Sequence, residues 1–258
     1  MNKSIFRSFT IGISISQIEH IRRCMDVDPN WILVEPEWSL FYSIETLIYM
    51  DLMPFYKALF EAFPKTPVML MLPRPSNIHN HFLINETAVF SKETYTKYHG
   101  LYMDVLRDII KLNHPNLKAI IIPELESCVD YHWIRQELKE MFEYFCCKDI
   151  RIGLNVDSLD LFFHHQKYKK FDFAIIEPDK MFFELYDDPL TEHKRFMKEL
   201  VELRKELRRR GKPLIIRGEI INRYNHFEIL CKLGFKHYIV DDLNYTKYAK
   251  YIKEQVKS

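Results

Sequence analysis

The sequence predicts an α/β protein built as a single (β/α)8 TIM barrel, and three observations predict it. Eight short apolar runs recur along the 258 residues. Helical patterns separate them, and most runs end directly in polar or charged residues. The runs are continuously apolar rather than alternating, as expected of parallel strands buried on both faces. One complete barrel of this kind typically needs ~250 residues, so one domain is the natural count.

The elements follow in order. Residues 9–13 form the first run and end in Ser14; residues 16–24 follow with Ile18 and Ile21 on one face. Residues 31–34 form strand two, before Glu35-Pro36-Glu37. The segment 47–63 reads as a helix, and residues 68–72 as strand three before Pro73-Arg74. Residues 73–94 make the one long connection, with His79-Asn80-His81 inside it. A connection this long in a compact domain is usually functional or mobile. Leu101, Val105, Ile109 and Leu112 recur at helical spacing within 95–112.

Residues 119–122 then form strand four, before Glu124-Leu125-Glu126. A helix over 131–147 leads to strand five, 151–156, which ends at Asp157. Residues 159–168 connect it to strand six, 173–176, before Glu177-Pro178-Asp179. The longest helix spans 191–210, with Phe196, Leu200, Leu203 and Leu207 on one face. Strand seven is 214–216, before Arg217-Gly218-Glu219, and a helix covers 224–233. Strand eight is 238–240, before Asp241-Asp242, and a last helix covers 245–256. An internal echo links strands two and six: residues 31–38, WILVEPEW, resemble residues 173–180, FAIIEPDK, half a barrel apart.

Composition narrows the function. The chain carries 37 basic and 36 acidic residues, a balance that offers no electrostatic footprint for nucleic acid or an anionic membrane. Its densest basic stretch, Arg204-Lys205 through Arg208-Arg209-Arg210 and Lys212, closes the longest helix, where cations complement the helix dipole. That stretch reads as a solvated helix end, with a phosphate-binding patch as the other reading. The five cysteines lack paired spacing and no C-x-x-C occurs, which argues against a disulfide framework or a thiolate zinc site. Without a signal-peptide core or a long uncharged span, the expectation is a reduced, cytoplasmic protein.

The acids at the strand ends are the candidate site. Oxygen-only ligands suit Mg²⁺ or Mn²⁺ rather than zinc. Asp157 and Asp179 are the candidate ligands, and such an ion would hold a small anionic substrate. Arg74 and Glu37 are the candidate substrate-binding residues; Arg74 and Arg217 could each grip a carboxylate or phosphate in bidentate fashion. Arg217 and Glu219 are the candidate catalytic residues. Two residues apart on strand seven, they would point to the same side, as a structural pair or as groups positioning a ligand. His79-Asn80-His81 and His164-His165 read as loop and surface, and Cys146-Cys147 as packing at a helix end. No Walker loop, G-x-S-x-G elbow or G-x-G-x-x-G occurs.

Residues 212–219, KPLIIRGE, followed by 230–235, LCKLGF, resemble the strand-seven Cys-Gly-Glu and following Leu-Gly of the phosphoenolpyruvate-utilising barrels. These are enzyme I of the sugar phosphotransferase system, phosphoenolpyruvate synthase and pyruvate phosphate dikinase. The resemblance covers residues 10–242. It implies a barrel that binds a pyruvate-like acid with Mg²⁺, with Asp157 at the place of a metal-binding Glu, and a homodimer for which the apolar segment 41–63 could supply the interface. The departures are specific. Glu35 and Met71 stand where the family has arginines, Asp179-Lys180 replaces a metal-holding Asn-Asp, and Arg217 replaces the proton-handling Cys. Ordinary phosphoryl transfer is therefore expected to be lost. A second resemblance, to EAL-type cyclic-di-GMP phosphodiesterase barrels, runs from residue 151 to 182, but Asn155-Val156 stands in place of that family's Asp-Asp. The alternative is a non-catalytic barrel that binds a protein partner.

Overall fold

A computed structural model describes residues 9–36, 52–81, 89–147, 149–186, 194–222 and 224–257. Eight parallel strands close into a barrel in sequence order, each pairing with the next and β8 with β1. The strands are β1 (Thr10–Ile15), β2 (Trp31–Val34), β3 (Val68–Met71), β4 (Leu117–Ile122), β5 (Arg151–Val156), β6 (Phe173–Ile176), β7 (Leu214–Ile216) and β8 (His237–Val240). Helices surround them: α1 (Ile18–Arg23), α2 (Met53–Ala62), α3 (Pro75–His81), α4 (Lys92–Lys97), α5 (His99–Lys111), α6 (Cys128–Tyr144), α7 (Leu159–His164), α8 (Pro178–Tyr186), α9 (Lys194–Arg209), α10 (Glu219–Asn222), α11 (Tyr224–Lys232) and α12 (Tyr245–Lys257). The predicted fold class is the observed one.

The strands have two buried faces, and the sequence shows why. Alternate residues project to opposite sides of a strand. One set, including Ile32, Val34, Leu70, Ile120, Leu154 and Ile176, joins the large core shared with the helices. The other set fills the barrel itself: Trp31, Leu33, Met69, Met71, Ala119, Ile121, Phe173, Ile175, Ile215 and Ile239. Continuing that second set by two residues, past the apolar ends, reaches Glu35, Glu177 and Arg217, and Asp157 lies two residues beyond Asn155 of β5. The same alternation that builds the core therefore delivers charged side chains to the carboxyl-terminal mouth.

Several expectations are corrected. Residues 73–94 are not one loop: α3 begins at Pro75, a residue suited to the first helical turn, and includes His79-Asn80-His81. Phe90 is fully buried and bridges to Leu125. The helix expected over 95–112 is two, since the Ser91 hydroxyl accepts from the Thr94 N–H and starts α4 early, and the chain breaks at Tyr98. His165 is buried rather than at the surface; its Nδ1 lies 2.8 Å from the Phe162 carbonyl and its Nε2 3.1 Å from Glu206. Within 41–63, the described part turns Phe55, Tyr56, Leu59 and Phe60 into the chain's own core and leaves Pro54, Lys57 and Glu61 outside. Among the described residues no helix is long and apolar enough to cross a membrane, and all five cysteines are free thiols.

Candidate active site at the barrel mouth

Two arginines and two glutamates meet at the mouth. Glu35 follows β2, Arg74 follows β3, Glu177 follows β6 and Arg217 follows β7. Arg217 Nη2 lies 2.9 Å from Glu35 Oε1, and Arg74 Nη2 lies 2.7 Å from Glu177 Oε1. Two longer contacts complete the set: Arg74 to Glu35 at 3.5 Å and Arg217 Nε to Glu177 at 3.7 Å. Both guanidinium groups thus converge on one oxygen of each glutamate. Met71 Sδ sits 3.4 Å from Arg74 Nη2 and 3.8 Å from Arg217 Nη1.

The surroundings complete the hydrogen bonding of these acids. Ser14 donates its hydroxyl to Glu35 Oε2 at 2.5 Å, and Asn155 Nδ2 donates to Glu177 Oε1 at 2.9 Å. Lys180 Nζ is 3.7 Å from Glu177 and 3.7 Å from Glu124. Glu124 has a positive φ of 49°, and its carboxylate accepts from the Ser76 N–H and hydroxyl at 3.0 and 2.6 Å. Burial works to raise the pKa of Glu35 and of Glu177, but Arg217 and Arg74 outweigh it and hold both carboxyls below the usual range.

Asp157 is different. It is 6% exposed and forms no ion pair among the described residues. Its Oδ2 accepts from Asn155 Nδ2 at 2.7 Å and from the Glu124 backbone N–H at 2.9 Å. Burial first, then the charges of Glu177 and Glu124, push its pKa up to about 6. It is the acid in this cluster poised to exchange a proton near neutrality.

The remaining candidates are placed as follows. Asp179 is half-buried; its Oδ2 accepts from the Ile220 N–H at 3.0 Å and so caps α10. Burial raises its pKa. Glu219 is exposed and begins α10, and Arg217 pairs with Glu35 and Glu177. Glu37 lies outside the described residues. Among the described residues no group of three or more His, Cys, Asp or Glu is arranged to hold a metal ion. Oδ2 of Asp157 and Oδ2 of Asp179 already accept N–H donors, a use that fits a hydrogen-bonded carboxyl or a helix cap better than a metal ligand. The donor set as arranged therefore does not fit a divalent ion.

Asn155 and Ser14, which orient the two glutamates, did not emerge as functional residues from the sequence. The signal for them was present. Asn155 precedes Asp157 by two and so faces the same way. The echo between strands two and six also paired Glu35 with Glu177. The echo extends further in space. Gly12 is the Cα partner of Trp31 in β1–β2, and Gly153 is the Cα partner of Phe173 in β5–β6. Ser14 and Asn155 lie two residues beyond those glycines, and Arg74 and Arg217 each follow the next strand along.

No family model matches the sequence, and no curated protein matches it. Solved structures do resemble it. An HpcH/HpaI aldolase/citrate lyase family protein from Burkholderia cenocepacia J2315 is 10% identical, with a TM-score of 0.60 over 99% of this chain and 98% of that one. The citrate synthase SbnG is 10% identical, with a TM-score of 0.56 over 97% and 92%. A pyruvate kinase from Cryptosporidium parvum is 9% identical, with a TM-score of 0.61 over 93% and 66%. At these identities the likeness establishes the shared barrel fold and nothing finer.

Proposed function

We propose that the mouth is a rebuilt site that binds a small carboxylic acid of the pyruvate type and does not carry out ordinary phosphoryl transfer. The observation that carries this is the convergence of Arg74 and Arg217 on single oxygens of Glu35 and Glu177. Two guanidinium groups aimed at one oxygen form a pair of donors suited to a carboxylate. Glu35 and Glu177 occupy those donors here. Two departures from the phosphoenolpyruvate-utilising pattern also answer each other. Glu35 replaces an arginine, Arg217 replaces a cysteine, and the two bind each other. A binder for a small acid needs cations at the mouth, as Arg74 and Arg217 provide, and has no need of the groups that move a phosphoryl.

Thermal unfolding tests the reading, with pyruvate, oxalate, phosphoenolpyruvate and cyclic-di-GMP, each with and without Mg²⁺ or Mn²⁺. A ligand at 100 times its Kd adds about 2.7 kcal/mol, which is about 5–11 °C for a domain this size. A shift with pyruvate or oxalate supports the proposal, and metal dependence of that shift would put a divalent ion back into it. A shift with the cyclic dinucleotide alone would replace it with the EAL-type reading. Glu219 remains the acid–base candidate for enol formation. Exchange of pyruvate methyl protons with D2O, followed by NMR, tests that role, and exchange no faster than without protein removes it.

One observation favours a second reading: among the described residues Glu35, Arg74, Glu177 and Arg217 already pair with one another inside the chain. A mouth so satisfied can serve as the lid of a non-catalytic barrel that binds another protein or a second copy of itself. No thermal shift with any ligand, together with a dimer or complex in sedimentation, would establish that reading.

A further inference from the structure

The basic stretch that closes α9 is not used by the mouth, and it lies at the opposite end of the barrel. There a cleft of about 710 Å³ opens between the end of α9 and the amino ends of β5, β7 and β8. Arg151, Arg204, Arg208, Lys212 and Lys236 line it, with Asp172 as its one acid. Arg204, Arg208, Lys212 and Lys236 alone bring four positive charges to one space, against the single carboxylate of Asp172. Among the described residues none of Arg204, Arg208, Lys212 and Lys236 forms an ion pair. Asp172 accepts from the Ile152 N–H at 2.9 Å.

This is more than a solvated helix end, because the backbone is shaped to hold the cations. Gly234 has a φ of 86°, and its carbonyl accepts from Arg204 Nη1 at 2.5 Å. A Cβ on Gly234 would lie 2.6 Å from that same nitrogen, so a side chain there would push the guanidinium from its present place. The Arg204 guanidinium also lies over the Phe235 ring, 5.3 Å from its centroid, and its Nε is buried without a hydrogen bond. Lys212 Nζ donates to the Phe171 carbonyl and lies 5.5 Å from the Phe171 ring centroid. These contacts fix the charges in place without neutralising them. A cleft lined by one sign of charge concentrates its field and draws in counter-ions.

We propose that this amino-terminal cleft is a binding site for a free small-molecule oligophosphate, a linear di- or triphosphate group. The charge count selects the class. A single phosphate ester carries about −1.5 to −2 at neutral pH and would leave the cleft unbalanced, whereas a di- or triphosphate matches it. The concave shape suits a small ligand rather than a polymer. Arginine forks at Arg204 and Arg208 suit phosphate oxygens. His237 adds no charge at neutral pH, since burial and Lys236 bring its pKa down to about 4.

Isothermal titration of the whole chain with inorganic triphosphate, diphosphate and orthophosphate tests the site at low ionic strength without divalent metal. The expected result is a Kd for triphosphate at least tenfold below that for orthophosphate. Arg208→Gln combined with Lys236→Gln, both exposed and so tolerant of change, should weaken triphosphate binding by tenfold or more. Saturating oxalate, directed at the mouth, should leave it unchanged, which separates this site from the proposed function. Equal affinity for all three anions, or full binding by the double variant, overturns the proposal. Binding to vesicles bearing a polyphosphorylated inositol lipid without binding of free triphosphate overturns the free-ligand assignment.

Discussion

Gly12 and Trp31 face each other across β1 and β2 so closely that a Cβ on Gly12 would lie 1.6 Å from Trp31 Cδ1. The same arrangement recurs at Gly153, where a Cβ would lie 2.4 Å from Phe173 Cζ. In a chain with only six glycines, two are spent making room for large rings in the middle of the barrel. Small-against-large pairing of this kind fills a barrel interior without strain.

Gly153→Ala should therefore destabilise the fold by overpacking, at the level of about 1–3 kcal/mol. Phe173→Leu alone should also cost stability, by leaving a gap. The double variant should cost less than the sum of the two. Urea unfolding of the four species measures the coupling, and simple additivity would show that the ring and the glycine do not share that space.

Glu177→Gln removes a charge from between two buried guanidinium groups. Breaking one partner of a buried pair costs about 3–5 kcal/mol. The sign with pH follows from the depressed carboxyl pKa: this stabilisation is present above the unfolded carboxylate pKa of ~4.3 and is lost as pH falls below it. The wild type should lose stability steeply in acid, and Glu177→Gln should show a shallower loss. Parallel acid profiles would mean that Glu177 carries none of the effect.

Asp157 and His237 act oppositely on stability between about pH 4 and 6. Asp157 is raised from 3.8 to about 6, so the native state holds a proton that the unfolded state has lost, and stability falls as pH rises across that window. His237 is lowered from 6.5 to about 4, so the unfolded state holds the extra proton there and stability rises with pH. Each shift is worth about 3 kcal/mol, and the two slopes cancel. Asp157→Asn should unmask a stability that climbs from pH 4 to 6, and His237→Gln one that declines. Chemical denaturation at three pH values is enough to see both; identical slopes in wild type and variants would sink the assignment.

Asp179 and Glu219 should separate cleanly. Asp179→Ala removes the acceptor for the Ile220 N–H and should cost about 1 kcal/mol, while Asp179→Asn should largely preserve the cap. Glu219→Gln, at an exposed position, should leave stability within about 0.5 kcal/mol. Thermal melts of the three variants decide, and an equal loss at both sites would contradict the capping role.

The strands were legible wherever the apolar run and the buried run coincide. Trp31–Val34 was read to the residue because Asn30 and Glu35 bound it, and Arg151–Val156 because it opens on a charged residue and stops at Asp157. β1 was cut short because Ser14 looked like an ending, whereas its hydroxyl turns into the barrel to serve Glu35. Arg74 and Arg217 were legible as cations at the mouth, but their partners were not, since Glu35 and Glu177 come from strands far away in sequence. The expected Arg217–Glu219 alignment assumed that the strand continues. Gly218, at a φ of 109°, turns the chain instead, and Glu219 starts a helix.

The pairing of the four mouth charges has a topological meaning. The two short ion pairs, Arg74 with Glu177 and Arg217 with Glu35, run between β1–β4 and β5–β8, while the longer contacts stay within each set of four strands. Each half of the chain thus carries an arginine and a glutamate whose best partners belong to the other half. The barrel is laced shut at its rim by an exchange of charges. Closure is rewarded only when both halves are present, and the mouth acts as a proof-reader of complete assembly.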